Sequence, residues 1–186
     1  MRIISGKFRG KKLSFINSTT TRPLRDYVKE NIFNIITHGK NFKLRLESLT
    51  ILDLYSGVGS FGIECLSRNV NKVVFVEKDP LAYSILKKNI SKLRLSYKAE
   101  LMFLNIKDYV EQSNEKNKFD LIFLDPPYDN ISYIEIIKLI KKKKILNTTN
   151  KIIIHREKKS EDELSEIMKI DFIKNYGRSK VIFGSL

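Results

Sequence analysis

The spacing of apolar residues changes character near residue 51. Before it, Leu24, Tyr27, Val28, Ile32, Ile35 and Ile36 recur at close to i, i+3, i+4 intervals, which predicts an amphipathic helix with one apolar stripe. Thr21-Arg22-Pro23 opens this helix, with Pro23 suited to the first turn, and Gly39 is placed to stop it. Ahead of it, residues 1–13 (MRIISGKFRGKKL) are basic and broken by Gly6 and Gly10, the pattern of a small hairpin or extended arm. From residue 51 onward the pattern alternates. Ile51–Tyr55, Lys72–Glu77, Leu101–Leu104, Phe119–Leu124 and Lys151–His155 are apolar runs of strand length. Helices are predicted between them over 60–68, 80–93, 107–112 and 131–142, the second capped by Asp79-Pro80. Glu161–Lys169 reads as one more helix. Asp171–Tyr176 and Lys180–Phe183 then close the chain as two strands.

Such alternation implies an α/β fold, a mostly parallel sheet covered on both faces. The last two strands are joined through Gly177 with no room for a crossover helix. They should form an antiparallel hairpin at one end of the sheet. Residues 1–40 separate in pattern from 41–186, so an N-terminal hairpin-plus-helix unit and a larger α/β unit are expected.

Two loops carry the candidate chemistry. The first follows Ile51–Tyr55, where Gly57-x-Gly59-x-x-Gly62 leads from strand into helix. Glycines there permit positive φ and close approach of a ligand to the backbone, while the helix N-terminus offers free N–H groups. Glu77, at the end of the next strand, can accept both hydroxyls of a ribose. Asp53 fits poorly beside a pyrophosphate, because like charges repel. It suits a ligand with a cationic amino group, such as the methionine end of S-adenosylmethionine. A ligand-free strand–helix turn would use the same glycines.

The second loop is Asp125-Pro126-Pro127-Tyr128, directly after Phe119–Leu124. Two prolines cannot continue a central strand and stiffen the loop at the strand's carboxyl end, where open α/β sheets place their sites. Rigidity fixes the Asp125 carboxylate and the Pro126 carbonyl as paired acceptors for the two hydrogens of a planar amino group. Tyr128 offers a face on which an extruded base can stack. The pair would favour a pyramidal nitrogen whose lone pair faces a sulfonium methyl, so catalysis would be positioning and electrostatics.

Composition narrows the partner. Lys and Arg total 35 against 21 Asp and Glu, a formal net charge of +14, which favours a polyanion. Arg2, Lys7, Arg9, Lys11, Lys12, Arg22 and Arg25 gather near the N-terminus as candidate RNA contacts, and Lys141–Lys144 reads as a solvated helix end. The single cysteine, Cys65, excludes an internal disulfide and makes a cysteine-nucleophile mechanism improbable; it should pack on a helix face. His38 and His155 have no Cys or His neighbours, so no metal site is expected, and both read as structural or exposed. No apolar run reaches the ~18–20 residues of a membrane span and no secretory leader is visible, so the expectation is a soluble, cytoplasmic monomer.

With both loops placed, the chain resembles class I amino-methyltransferases, and within them the RsmD family, the 16S rRNA guanine-N2 methyltransferases. The resemblance runs over nearly the whole chain. It rests on Arg2-Ile3-Ile4-Ser5-Gly6, Arg9-Gly10-Lys11-Lys12-Leu13, Arg22-Pro23 with Asp26, Val28, Glu30, Phe33 and Asn34, then Asp53-Leu54-Tyr55-Ser56-Gly57-Val58-Gly59, Glu64 with Ser67-Arg68, Glu77-x-Asp79, Asp125-Pro126-Pro127-Tyr128 and Tyr176-Gly177. It implies a Rossmann-like, seven-stranded methyltransferase sheet with an N-terminal hairpin (1–40) that touches RNA and a cofactor-binding catalytic part (41–186). It further implies that Asp53, Tyr55, Gly57 and Gly59 cradle the methionine end of S-adenosylmethionine and that Glu77 holds its ribose. Lys78 would lie on the adenine, with Asn105 and Ile106 at its edge, although class I enzymes often carry Asp where Asn105 stands. The implied substrate is a guanine amino group in 16S rRNA or the small ribosomal subunit. The competing expectation is an adenine-N6 methyltransferase acting on DNA or RNA.

Overall fold

The computed structural model describes residues 1–16, 24–40, 42–128, 130–161 and 163–186. Thr21-Arg22-Pro23, expected to open the first helix, lies outside them. The elements run α1 (Asp26–His38), β1 (Thr50–Leu54), α2 (Ser60–Ser67), β2 (Lys72–Glu77), α3 (Pro80–Lys92), β3 (Ala99–Phe103), α4 (Ile106–Gln112), β4 (Phe119–Leu124), α5 (Tyr133–Lys143), β5 (Leu146–Glu157), β6 (Lys169–Tyr176) and β7 (Ser179–Ser185). The strands form one sheet in the order β3-β2-β1-β4-β5-β7-β6. The first five strands pair in parallel, and β7 enters antiparallel between β5 and β6. The closing hairpin is thus as expected, with Gly177 at positive φ in its turn.

Period-two alternation within each strand feeds both faces of the sheet. Ile51, Leu121, Phe123 and Ile153 bury into one apolar cluster, while Leu52, Leu54, Ile122, Leu124 and Ile154 bury into the other. The first cluster takes Ile32, Phe33 and Ile36 of α1, Phe61 of α2 and Leu86 of α3; the second takes Val110 of α4 and Ile136, Ile137 and Ile140 of α5. Phe61 stacks on Phe123 at 3.9 Å between centroids, which ties α2 to β4.

Two expectations need correction. Glu161–Lys169 contains no helix among its described residues: the Ile167 and Met168 N–H groups both bond the Leu164 carbonyl in a single turn, and β6 has already begun at Lys169. Leu164 and Met168 are buried four residues apart, so the helical spacing is real, but one turn satisfies it. β5 also starts earlier than expected, at Leu146. Its first residues, Asn147 to Asn150, are polar and enter the sheet through a register irregularity opposite Phe119–Leu121.

The N-terminal segment closes loosely on itself through one antiparallel bridge, Arg2 to Lys12, and docks on α2. Glu64, fully buried, accepts the Ile4 and Ser5 N–H groups at 2.7 and 2.9 Å and the Arg68 Nε at 2.9 Å. Lys29, equally buried, lies 3.9 Å from Glu64 and donates to the Arg2 carbonyl at 2.8 Å. Burial lowers the Lys29 pKa, against the pull of Glu64 and Asp26. Gly6 is required here: at φ +79, a Cβ would stand 2.0 Å from the Ser67 carbonyl oxygen. We expect Glu64→Ala, which leaves two backbone N–H groups without their acceptor and a buried ammonium without its buried counter-charge, to destabilise the fold by about 3–5 kcal/mol. Urea unfolding measures it, and a loss below about 1 kcal/mol would contradict the anchoring role.

Candidate active site

β1 and β4 are neighbours in parallel register, Leu54 opposite Leu124, so their following loops leave the sheet side by side at its carboxyl edge. The two loops share one cavity of about 540 Å³. Asp53, Tyr55 and Gly57 line it from β1 and its loop, Glu77 and Lys78 from the end of β2, and Asp125, Pro126, Pro127 and Tyr128 from the loop after β4. Ser60 and Phe61 of α2, Asp79 and Ala82 at the start of α3, Ile106 of α4, and Met1, Phe15, Ile16 and Leu24 of the N-terminal part also line it.

The glycine turn takes the shape its residues allow. Gly57 and Gly59 have φ +54 and +88, and Tyr55 also turns at φ +59. A Cβ on Gly62 would lie 2.2 Å from the Phe75 ring and 2.8 Å from Asp53 Oδ2, so only glycine lets α2 start this close to the strands. The Glu77 carboxylate is held on both oxygens, by the Gly57 N–H at 2.7 Å and the Asp79 N–H at 2.8 Å. Asp53 is 1% exposed and accepts one bond, from the Gly62 N–H at 3.0 Å. Burial pushes its carboxyl well above the usual carboxylate range; Asp125 and Glu77 push the same way, and the Gly62 bond opposes them. An acid so placed gains from a cationic partner. Burial also raises the Tyr55 hydroxyl to about 12.

Asn105 caps α4, its side chain accepting the Lys107 N–H at 2.9 Å. It lines an adjoining cavity of about 580 Å³ rather than the first, while Tyr55, Lys78 and Ile106 border both. Of the expected RNA contacts, Arg2, Lys7, Arg9, Lys11, Lys12 and Arg25 are exposed on the docked N-terminal part, and Arg22 lies outside the described residues. Arg2 pairs with Asp26 at 3.6 Å. Cys65 is buried on α2, and burial pushes its thiol well above the usual range, so it is no nucleophile.

The tetrad loop is braced from β5 by two residues to which local sequence pattern assigns no role. Expected to be structural or exposed, His155 is buried and lines the cavity, with Nδ1 2.8 Å from Asp125 Oδ1. Arg156, 1% exposed, donates to the Pro127 and Tyr128 carbonyls at 2.9 and 3.0 Å, and its guanidinium lies 4.6 Å from the Tyr133 ring centroid. The signal available was position: both lie at the carboxyl end of a parallel strand, the edge where the tetrad itself was placed.

Comparison with known proteins places the chain in a family. The family described as Conserved hypothetical protein 95 matches residues 1–185. Ribosomal RNA small subunit methyltransferase D of Haemophilus influenzae is 39% identical over 69% of this chain and 64% of its own length. A protein of Bacillus subtilis, YlbH, named as a candidate rRNA methyltransferase, is 33% identical over 87% of the chain and 85% of its length. A candidate methylase of H. influenzae, solved by crystallography, superposes with a TM-score of 0.79 at 29% identity, covering 99% of this chain and 97% of that one. The fold is that of the class I, S-adenosylmethionine-dependent methyltransferases. Within that class, the chain belongs to the Conserved hypothetical protein 95 family, the RsmD family of methyltransferases.

Asp53 yields a pH prediction. A carboxyl raised by burial stabilises the fold while protonated, and that contribution is lost as pH rises through its folded-state pKa. Asp53→Asn keeps an oxygen for the Gly62 N–H without the charge. The thermal midpoint of ligand-free Asp53→Asn should therefore exceed that of the wild type by a margin that widens as pH rises from about 4. Calorimetry across a pH series checks the trend; a margin that shrinks with rising pH would contradict it.

Proposed function

We propose that this chain transfers a methyl group from S-adenosylmethionine to the exocyclic N2 amino group of a guanine in small-subunit ribosomal RNA. The observation that carries the proposal is the shared cavity, in which a buried acid, a ribose-type acceptor and the Asp-Pro-Pro-Tyr loop meet. The residues fit the cofactor chemically: Asp53 matches a cationic amino group and Glu77 retains lone pairs for ribose hydroxyls. Tyr55 and Gly57 would hold the methionine end, with Gly59 shaping the turn behind them at φ +88, and Lys78, Ile106 and, from the adjoining cavity, Asn105 would hold the adenine. When bound, S-adenosylmethionine supplies an electrophilic methyl on sulfur.

The chain's own residues do the rest. Tyr128 stacks the extruded base, a contact worth ~1–3 kcal/mol. Asp125 and the Pro126 carbonyl accept the two amino hydrogens and turn the nitrogen lone pair towards the sulfonium. Arg156 holds the Pro127 and Tyr128 carbonyls, so the loop meets the base already in shape. The exposed cations of residues 1–40 hold RNA phosphates, while 41–186 carry the cofactor and the chemistry. The names of the relatives support rRNA as the substrate class, and the resemblance of the N-terminal segments to guanine-N2 enzymes supports the base.

Incubation with labelled cofactor and either small-subunit rRNA or duplex DNA, followed by mass analysis of the nucleosides, tests this directly. N2-methylguanosine from rRNA is expected; N6-methyladenosine from rRNA, or its 2′-deoxy counterpart from DNA, would replace the proposal with the adenine reading. Asp125→Ala should lower transfer at least about 100-fold while cofactor affinity stays within about threefold. RNA affinity should fall steeply between low and moderate salt, and a flat response would exclude the basic hairpin as the phosphate contact.

A further inference from the structure

β4 and β5 pair in parallel with Leu124 opposite Ile154, so the next residues, Asp125 and His155, stand together where β4 ends and β5 runs on to Glu157. His155 Nδ1 lies 2.8 Å from Asp125 Oδ1. An ionised carboxylate offers only acceptors, so this bond needs the hydrogen on Nδ1. Nε2 of the same ring is buried and makes no hydrogen bond among the described residues. A buried polar atom left so costs about 1–3 kcal/mol. An apolar side chain that only filled the space would carry no such cost. The side chain also lines the cavity, next to Asp125 and Tyr128, with its ring 6.1 Å from the Tyr128 ring and edge-on to it.

We propose that His155 is a positioning residue for methyl transfer: its Nδ1–H fixes the rotation of the Asp125 carboxylate, occupies Oδ1 and leaves Oδ2 to meet the target amino group. This rests on the function proposed above, in which Asp125 is the acceptor. Without the bond, the carboxylate turns about its Cβ–Cγ axis and presents its lone pairs in many directions. With it, one oxygen is aimed before the base arrives, so the alignment entropy is removed in advance. His155 makes the arrangement complete: Arg156 holds the backbone of the loop, and its neighbour in sequence holds the reacting side chain. His155 takes no proton from the substrate in this scheme and needs no contact with it.

Three variants separate this role from packing. His155→Phe keeps the ring without a donor. It should lower kcat about 10- to 100-fold and leave KM for S-adenosylmethionine within about twofold. His155→Asn places an amide N–H near the former Nδ1 and should recover at least half of that loss on a logarithmic scale. Rates are taken per cofactor-binding site, so that misfolded protein does not count. A Phe variant with the wild-type kcat, or an Asn variant no better than Phe, would overturn the proposal. Asp125→Ala, assayed alongside, distinguishes the two roles. If it is inactive while His155→Phe is fully active, only His155 loses its role; if it is active, the function proposed above fails first. Nitrogen NMR of the wild-type imidazole reports the tautomer directly, whether or not the variants fold. The chain has two histidines, so the signal is assigned by difference against a His38→Gln variant. Hydrogen on Nδ1 is expected, and a ring whose Nδ1 carries no hydrogen would overturn the proposal.

Discussion

The parallel pairing of β1 with β4 is the constraint on which the site depends. The chain passes from β1 outward to β2 and β3, then returns across to β4 and β5 on the other side. The connections therefore leave β1 and β4 towards opposite sides, and a cleft must open between them at the carboxyl edge. Leu54 against Leu124 sets the register, and every later distance follows from it. Because side chains alternate along each strand, a one-residue slip would exchange the inward faces of β4. Phe123 would leave Phe61, and the helix that starts the glycine turn would lose its seat.

Four carboxylates line this cleft, in a chain of formal net charge +14: Asp79 caps α3, and the other three are the candidate site acids. Each is held differently. Glu77 is bound by two backbone N–H groups, Asp125 by an imidazole and Asp53 by a single N–H in full burial. Asp53 is accordingly the one whose charge is least supported by the protein itself. Acidic groups thus gather inside the cleft, while exposed cations gather on the N-terminal part.

The N-terminal hairpin connects these two surfaces. Its backbone is bound to α2 through Glu64 and Ser67, and further along Ser14 exchanges two hydrogen bonds with Asn89 of α3. Ile3 and Leu13 belong to the same apolar cluster as Phe61 and Phe123. The exposed cations thus sit on a segment that shares a core with the cofactor-side helices, and its Met1 and Phe15 reach the cavity wall. The exposed hairpin and the cleft are thus joined through one core.

Local pattern determined much of this protein. Apolar runs of strand length set β2 and β4 at Lys72–Glu77 and Phe119–Leu124, the closing hairpin followed from a connection too short for a crossover, and both loops could be read from glycine and proline chemistry. These features depend on neighbours in the chain, which a sequence displays. Tertiary structure alone decided the rest. The buried pair of Leu164 and Met168 has helical spacing, yet one turn suffices because β6 must already pair with β7. The polar start of β5 joins the sheet because β4 offers it an edge. His155 and Arg156 acquire their partners only when β5 lies against β4, about thirty residues away in sequence, and Asp53 acquires its raised pKa only when helices close over it. Burial and long-range pairing are properties of the assembled sheet, and no local pattern encodes them.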